Sequence, residues 1–287
     1  MAVQKNSYTE SNGGNGRDIF FPSASGEKGA SAERTFRMFA DEDEVVYREW
    51  SGEVMVNGNK TFRSCVVAQD NYFDNTSRAR LAEIKDACAK AGKSDEETKE
   101  LIKAEGIKWT KQVFATNVIN RDTVMVQVLK GSYEPHVEDD AGNMVPKNKM
   151  GGKTIYAKLL NLIKTGARVQ DPKNARKAIT INDPSEFDII MVTSGQNLGK
   201  KHDLHVGFVS PVEPELLDLP RYDIEGWAKG AGVWSNDALM ELAEGADYYK
   251  TVEKYSIALY PTLRIVETPV AVTVSADTED DDPLFAE

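Results

Sequence analysis

The chain has 287 residues, 28% charged and 40% hydrophobic, with a formal net charge of -11. That composition fits a soluble globular protein of one or two domains and excludes a fibre or a chain disordered throughout. No apolar run approaches the roughly 20 residues that span a bilayer, Met1-Ala2-Val3-Gln4-Lys5-Asn6 lacks an apolar signal core, and a net acidic chain is poorly suited to coating duplex DNA. A cytoplasmic protein with no membrane partner is expected, in the host cytoplasm if the protein is viral, and any nucleic-acid site must be local.

Residues 1–32 are rich in Ser, Asn and Gly and are expected to form a flexible arm. Strand patterns follow at 35–39, 45–56 and 61–67, with Asn57-Gly58 between the last two as a hairpin signal, because both residues tolerate positive φ. Residues 77–91 read as a helix with Leu81, Ile84, Cys88 and Ala91 on one stripe. Ser94 and Glu97 have the spacing of a capping box opening a second helix that runs to Gly106. Strands over 108–119 and 123–129 form a second hairpin, and 132–149 is a polar loop. A helix over 153–165 places Ile155, Tyr156, Leu159, Leu160, Leu162 and Ile163 on one face and Lys153, Lys158 and Lys164 on the other. Strands at 187–193 and 204–209 precede a largely helical stretch from 213 to about 259 and an acidic tail. The predicted fold is mainly β with α (α+β): an OB-fold-like β-barrel core over 33–212, an appended helical region over 213–267, and a tail over 268–287.

Charge is strongly segregated. Between 147 and 177 lie Lys147, Lys149, Lys153, Lys158, Lys164, Arg168, Lys173, Arg176 and Lys177 against the single acid Asp171, whereas 277–287 holds six acids and no base. A solvated helix face explains the helical lysines alone. The flanking cations suggest a polyanion site. Aromatic residues interleave with bases at Lys108-Trp109-Thr110-Lys111 to Phe114, at Lys130 to Tyr133, at Tyr47 to Trp50, and at Tyr156. Stacking a base on such a ring is worth about 1–3 kcal/mol and tolerates any sequence. Alternation in a strand puts Trp109 and Lys111 on one face and Lys108 and Phe114 on the other.

Enzymatic readings find little support. Gly152-Lys153-Thr154 lacks the upstream glycine of a P-loop, since Lys147 stands there, and no nucleophile motif is present. Cys65 and Cys88 form no CxxC and read as core fillers, and His202 and His205 face opposite ways on an extended segment. Neither a cofactor nor a metal is expected, and the protein is not expected to be an enzyme.

Two stretches resemble the replication single-stranded DNA-binding protein of T-even phages. Residues 107–122 are similar to its basic-aromatic strand, with Lys108, Phe114, Ala115 and Arg121-Asp122 matching, and Gly152-Lys153-Thr154-Ile155-Tyr156-Ala157-Lys158 with Asn161 and Ile163 is similar to its lysine helix. Val113 stands where the family has a tyrosine, no His and Cys cluster corresponds to its zinc module, and residues 1–34 are not basic like its arm. The resemblance implies a protein that coats and protects single-stranded DNA in phage replication, recombination and repair. Its expected contacts are Lys108, Trp109, Lys111, Phe114, Arg121, Lys130, Tyr133, Lys147, Lys149, Lys153, Tyr156, Lys158, Arg168, Lys173, Arg176 and Lys177. The tail, with Asp280, Asp281, Asp282, Leu284 and Phe285, is similar to the acidic tips of bacterial single-strand binders, which implies recruitment of replication and recombination proteins. Self-association on the strand is left open. The alternative is a virion or assembly protein whose arm and tail dock neighbouring subunits.

Overall fold

A computed structural model of the chain describes residues 31–138, 144–147, 154–171, 174–194, 201–210 and 213–264. The chain runs through β1 (Ser31–Met38), β2 (Val45–Val56), β3 (Asn59–Val67), α1 (Tyr72–Lys90), α2 (Asp95–Glu105), β4 (Lys111–Asn120) and β5 (Met125–Ser132). A short pair β6 (His136–Glu138) and β7 (Met144–Pro146) precedes α3 (Ile155–Thr165), β8 (Ala167–Asp171), β9 (Asn174–Ile181), β10 (Phe187–Ser194) and β11 (Lys201–Val209). The C-terminal part holds α4 (Pro214–Leu217), α5 (Ile224–Gly226), a π-helical turn (Trp227–Ala231), β12 (Val233–Trp234), α6 (Asn236–Ala243) and α7 (Tyr248–Lys254).

Local chemistry accounts for most boundaries. Asn57 and Gly58 turn β2 into β3 with φ of 49° and 78°, the left-handed region a tight hairpin requires. Ser94 and Glu97 form the expected capping box on α2. Helix α1 begins earlier than its apolar stripe because Asn71 accepts a bond from the Asp74 amide and caps it. Strand β4 begins later than expected, at Lys111. The residues before it are tied to α1, with Thr110 bonding Asp74 at 3.0 and 2.7 Å and the Lys108 carbonyl accepting from Ser77 at 2.8 Å. The hairpin β8–β9, within the basic segment, is legible only in the structure.

The main sheet has eight strands and forks at β4. One edge of β4 pairs with β5 from Val113↔Ser132 to Asn120↔Met125; the other is shared, β2 taking 111–115 and β1 taking 118–120. From the fork, β1 leads to β10 and β11, and β2 leads to β3 and β12. The fold is therefore mixed α and β around a β-rich sheet. The expected barrel is corrected to an open sheet, because no ladder joins β3 to β5 among the described residues. Part of the C-terminal segment packs there instead: Val66 of β3 and Val126 and Val128 of β5 share one core cluster with Tyr222, Ile224 and Ala228.

Alternation along β4 separates the two faces. Phe114 and Val118 pack with Ile155, Tyr156, Leu159 and Leu162 of α3, whereas Val113, Ala115 and Ile119 pack with the C-terminal segment. Each fully buried Leu or Ile in these layers contributes roughly 1.5–3 kcal/mol. A third cluster joins Trp50, Val54 and Cys65 to Trp234, Leu239 and Leu242, and the Trp50 ring stacks on Phe73 at 4.0 Å. Gly52 is required here, since a Cβ would stand 2.4 Å from that Trp50 ring. No helix among the described residues is long and apolar enough to cross a membrane.

Candidate nucleic-acid interface

The sheet face that meets the C-terminal segment carries a polar and aromatic cleft of about 260 Å³. Register places its groups side by side: Glu49 lies opposite Lys111 on β4 and Val66 on β3, and Ser51 lies opposite Ser64. Glu49 is buried and ion-paired with Lys130 and with Lys111 at 3.6 Å. Ser51 donates to Glu49 at 3.1 Å and shares a 2.9 Å bond with Ser64. Burial alone would raise the Glu49 carboxyl; the Lys130 and Lys111 ammonium groups and the Ser64 hydroxyl outweigh it and hold the carboxyl below its usual range. Burial pushes the Tyr47 phenol well up, and the neighbouring Glu49 charge adds to this.

The opposite wall comes from the C-terminal segment. Tyr248 donates its hydroxyl to the Ser64 carbonyl at 3.2 Å, and Trp227 donates from Nε1 to the Ala258 carbonyl at 2.7 Å, fixing the wall against the sheet. Three further lining residues leave much of their side chains in solvent: Phe62 is 61% exposed, Tyr249 44% and Tyr260 43%. Large exposed rings at a cleft that also has Arg63 and Lys130 on its lining make a surface able to stack flat ligands and attract anions. Sequence reading missed Phe62, Arg63, Tyr249 and Tyr260 because their partners lie far along the chain. Only the period of β3 could have signalled that Phe62 shares a face with Ser64.

Of the residues expected to contact DNA, Lys111 and Lys130 meet at this face, and Lys108 and Trp109 lie just upstream of β4 with their side chains exposed. Phe114 is corrected to a core residue: its ring is fully buried, 5.0 Å from Tyr156. Tyr156 is likewise buried, donating its hydroxyl to Glu44 at 2.9 Å, and Tyr133 packs against it at 4.8 Å with partial exposure. Arg121 is held by Glu213 at 2.9 Å and Asp188 at 3.3 Å, and that guanidinium pulls the Glu213 carboxyl down to about 2. Its role is to join β4 to β10 and the C-terminal segment.

The basic segment does not extend this cleft. Helix α3 covers the other face of the sheet, where Lys158 pairs with Asp203 at 2.6 Å. Lys147, Lys164, Arg168, Arg176 and Lys177 are exposed. Lys149, Lys153 and Lys173 lie outside the described residues, as do the tail residues Asp280, Asp281, Asp282, Leu284 and Phe285. The described part of the basic segment and the Lys111–Lys130 pair thus lie on opposite faces of the sheet, because α3 and the β8–β9 hairpin pack on the Phe114 and Val118 side of β4 while Lys111 and Lys130 project from the other. Cys65 and Cys88 are buried free thiols, and His202 bonds Thr193 at 2.8 Å through Nδ1. Among the described residues no three His, Cys, Asp or Glu side chains gather as metal ligands.

Comparison with protein families, with curated proteins and with solved structures finds no match to this chain.

Proposed function

We propose that this chain binds single-stranded DNA without chemistry, as a protecting protein of phage-type replication, recombination and repair. The observation that carries the reading is the cleft itself: Phe62, Tyr249 and Tyr260 exposed on a lining that includes Arg63 and Lys130. Stacking on exposed rings combined with local cations suits single strands, whose bases are free to leave the helix stack. The resemblance of residues 107–122 and 152–163 to the T-even phage binder adds to it, as does charge segregation in a chain of net charge -11. Of the expected OB-fold, the reading keeps only a β-rich sheet that does not close into a barrel. The acidic tail would recruit partner proteins through Leu284 and Phe285.

The test is titration with oligo-dT followed by tryptophan fluorescence at two salt concentrations. Binding should weaken steeply with salt, and Phe62→Ala with Tyr260→Ala should lower affinity about tenfold or more, since each stacked base is worth about 1–3 kcal/mol. Absence of binding by the wild type at low salt removes the proposal.

An assembly subunit of a virion is the second reading, favoured by one observation. Strand β11 is a sheet edge, and its Phe208 is 73% exposed. That reading requires large assemblies without DNA, which sizing or electron microscopy would reveal.

A further inference from the structure

Nearly every polar group named on the cleft walls is matched by a neighbour. Glu49 has Lys130, Lys111 and Ser51; Ser64 has Ser51; the Tyr248 hydroxyl and the Trp227 indole each bond a backbone carbonyl. Tyr47 differs. It lines the same cleft, is only 6% exposed, packs edge-on against Trp227 at 5.5 Å, and its hydroxyl has no hydrogen-bond partner among the described residues. A buried hydroxyl left without a partner destabilises the protein that carries it, and a ligand seated in the cleft would relieve that cost by supplying one.

The surroundings narrow what that partner can be. Glu49 stands two positions along β2 on the same face and already engages the Lys130 and Lys111 ammonium groups, so those cations are not free to draw a phosphate down to Tyr47. A neutral group is admitted, and the rings of Phe62, Tyr249 and Tyr260 favour a flat one. The part of a nucleotide that is both neutral and flat, with hydrogen-bonding atoms on its edge, is the base. We propose that the cleft admits one nucleobase of the bound strand edge-first, and that the Tyr47 hydroxyl bonds the polar edge of that base while Lys111, Lys130 and Arg63 remain nearer the backbone. This rests on the single-strand reading above and adds a base-contacting residue to it.

The experiment compares the full-length wild type with Tyr47→Phe, each titrated with oligo-dT and with an abasic oligonucleotide of equal length, alongside a thermal melt of both proteins. Loss of one hydrogen bond should weaken oligo-dT binding about fivefold, with the salt slope and the abasic affinity unchanged and the melting temperature of Tyr47→Phe equal or higher. The combination matters, because a hydroxyl serving only the fold would lower the melting temperature when removed. Wild-type affinity for oligo-dT in Tyr47→Phe would overturn the base contact while leaving single-strand binding intact. Equal weakening toward the abasic strand, or a lower melting temperature, would overturn it as well. If the wild type bound neither oligonucleotide, the single-strand reading would fall and the base contact with it.

Discussion

Glu49 keeps its charge inside the protein because two ammonium groups and a serine hydroxyl meet it there. Its carboxyl is held low, so the stability from these pairs is present above the ordinary carboxyl range, about 4.3, and is lost as pH falls through the lower folded value. Glu49→Gln should cost about 2 kcal/mol at neutral pH, since the two lysines can partly rehydrate. It should also flatten the acid limb of a melting-temperature profile, and an unchanged acid limb would show that the pair contributes nothing. Phe114 and Phe62 test the opposite assignments of two aromatic residues. Phe114→Ala should destabilise by about 3–5 kcal/mol in urea unfolding, whereas Phe62→Ala should stay within about 0.5 kcal/mol and act on binding. Both are phenylalanines in strand patterns, and composition cannot tell them apart. Phe114 is buried because α3 covers its face, and Phe62 is exposed because its face borders the cleft.

Elements differ in how much tertiary packing they carry. Helix α2 has no buried residue and leans on its own caps, Ser94 with Glu97 at the start and Gly106 in the left-handed conformation at the end. Ser94→Ala should therefore speed amide exchange in α2 about fivefold, the equivalent of about 1 kcal/mol, with little change in β4. The capping box was legible in sequence because its partners are three residues apart. The hairpin β8–β9 was not, since closely spaced cations obscure the alternation that marks a strand. Placed beside α3, away from the cleft, this hairpin divides the binding problem. Replacing Arg168, Arg176 and Lys177 by alanine should reduce the salt slope on long single strands by about two, at about 0.7 for each phosphate no longer neutralised. A short oligonucleotide confined to the cleft should bind unchanged. If the short strand weakened equally, the two surfaces would have to act as one.

At the scale of the whole molecule, a chain of net charge -11 approaches a polyanion only through local positive surfaces. Removing residues 277–287 takes away six acids, so truncation should tighten oligo-dT binding at low salt and abolish partner recruitment. Weaker binding after truncation would show that these six acids do not oppose the approach of the strand. Sequence by itself determined the hairpin at Asn57-Gly58, the capping box, the apolar face of α3 and the segregation of charge, all properties of residues close along the chain. Tertiary structure decided that Arg121 joins elements, that Phe114 and Tyr156 are core, that the cations divide between two faces, and that Tyr260 stands with Phe62 at one cleft. Those outcomes depend on which strands pair and what packs on each face. The alternation of side chains across a strand then turns a difference of one residue into a choice between core and cleft.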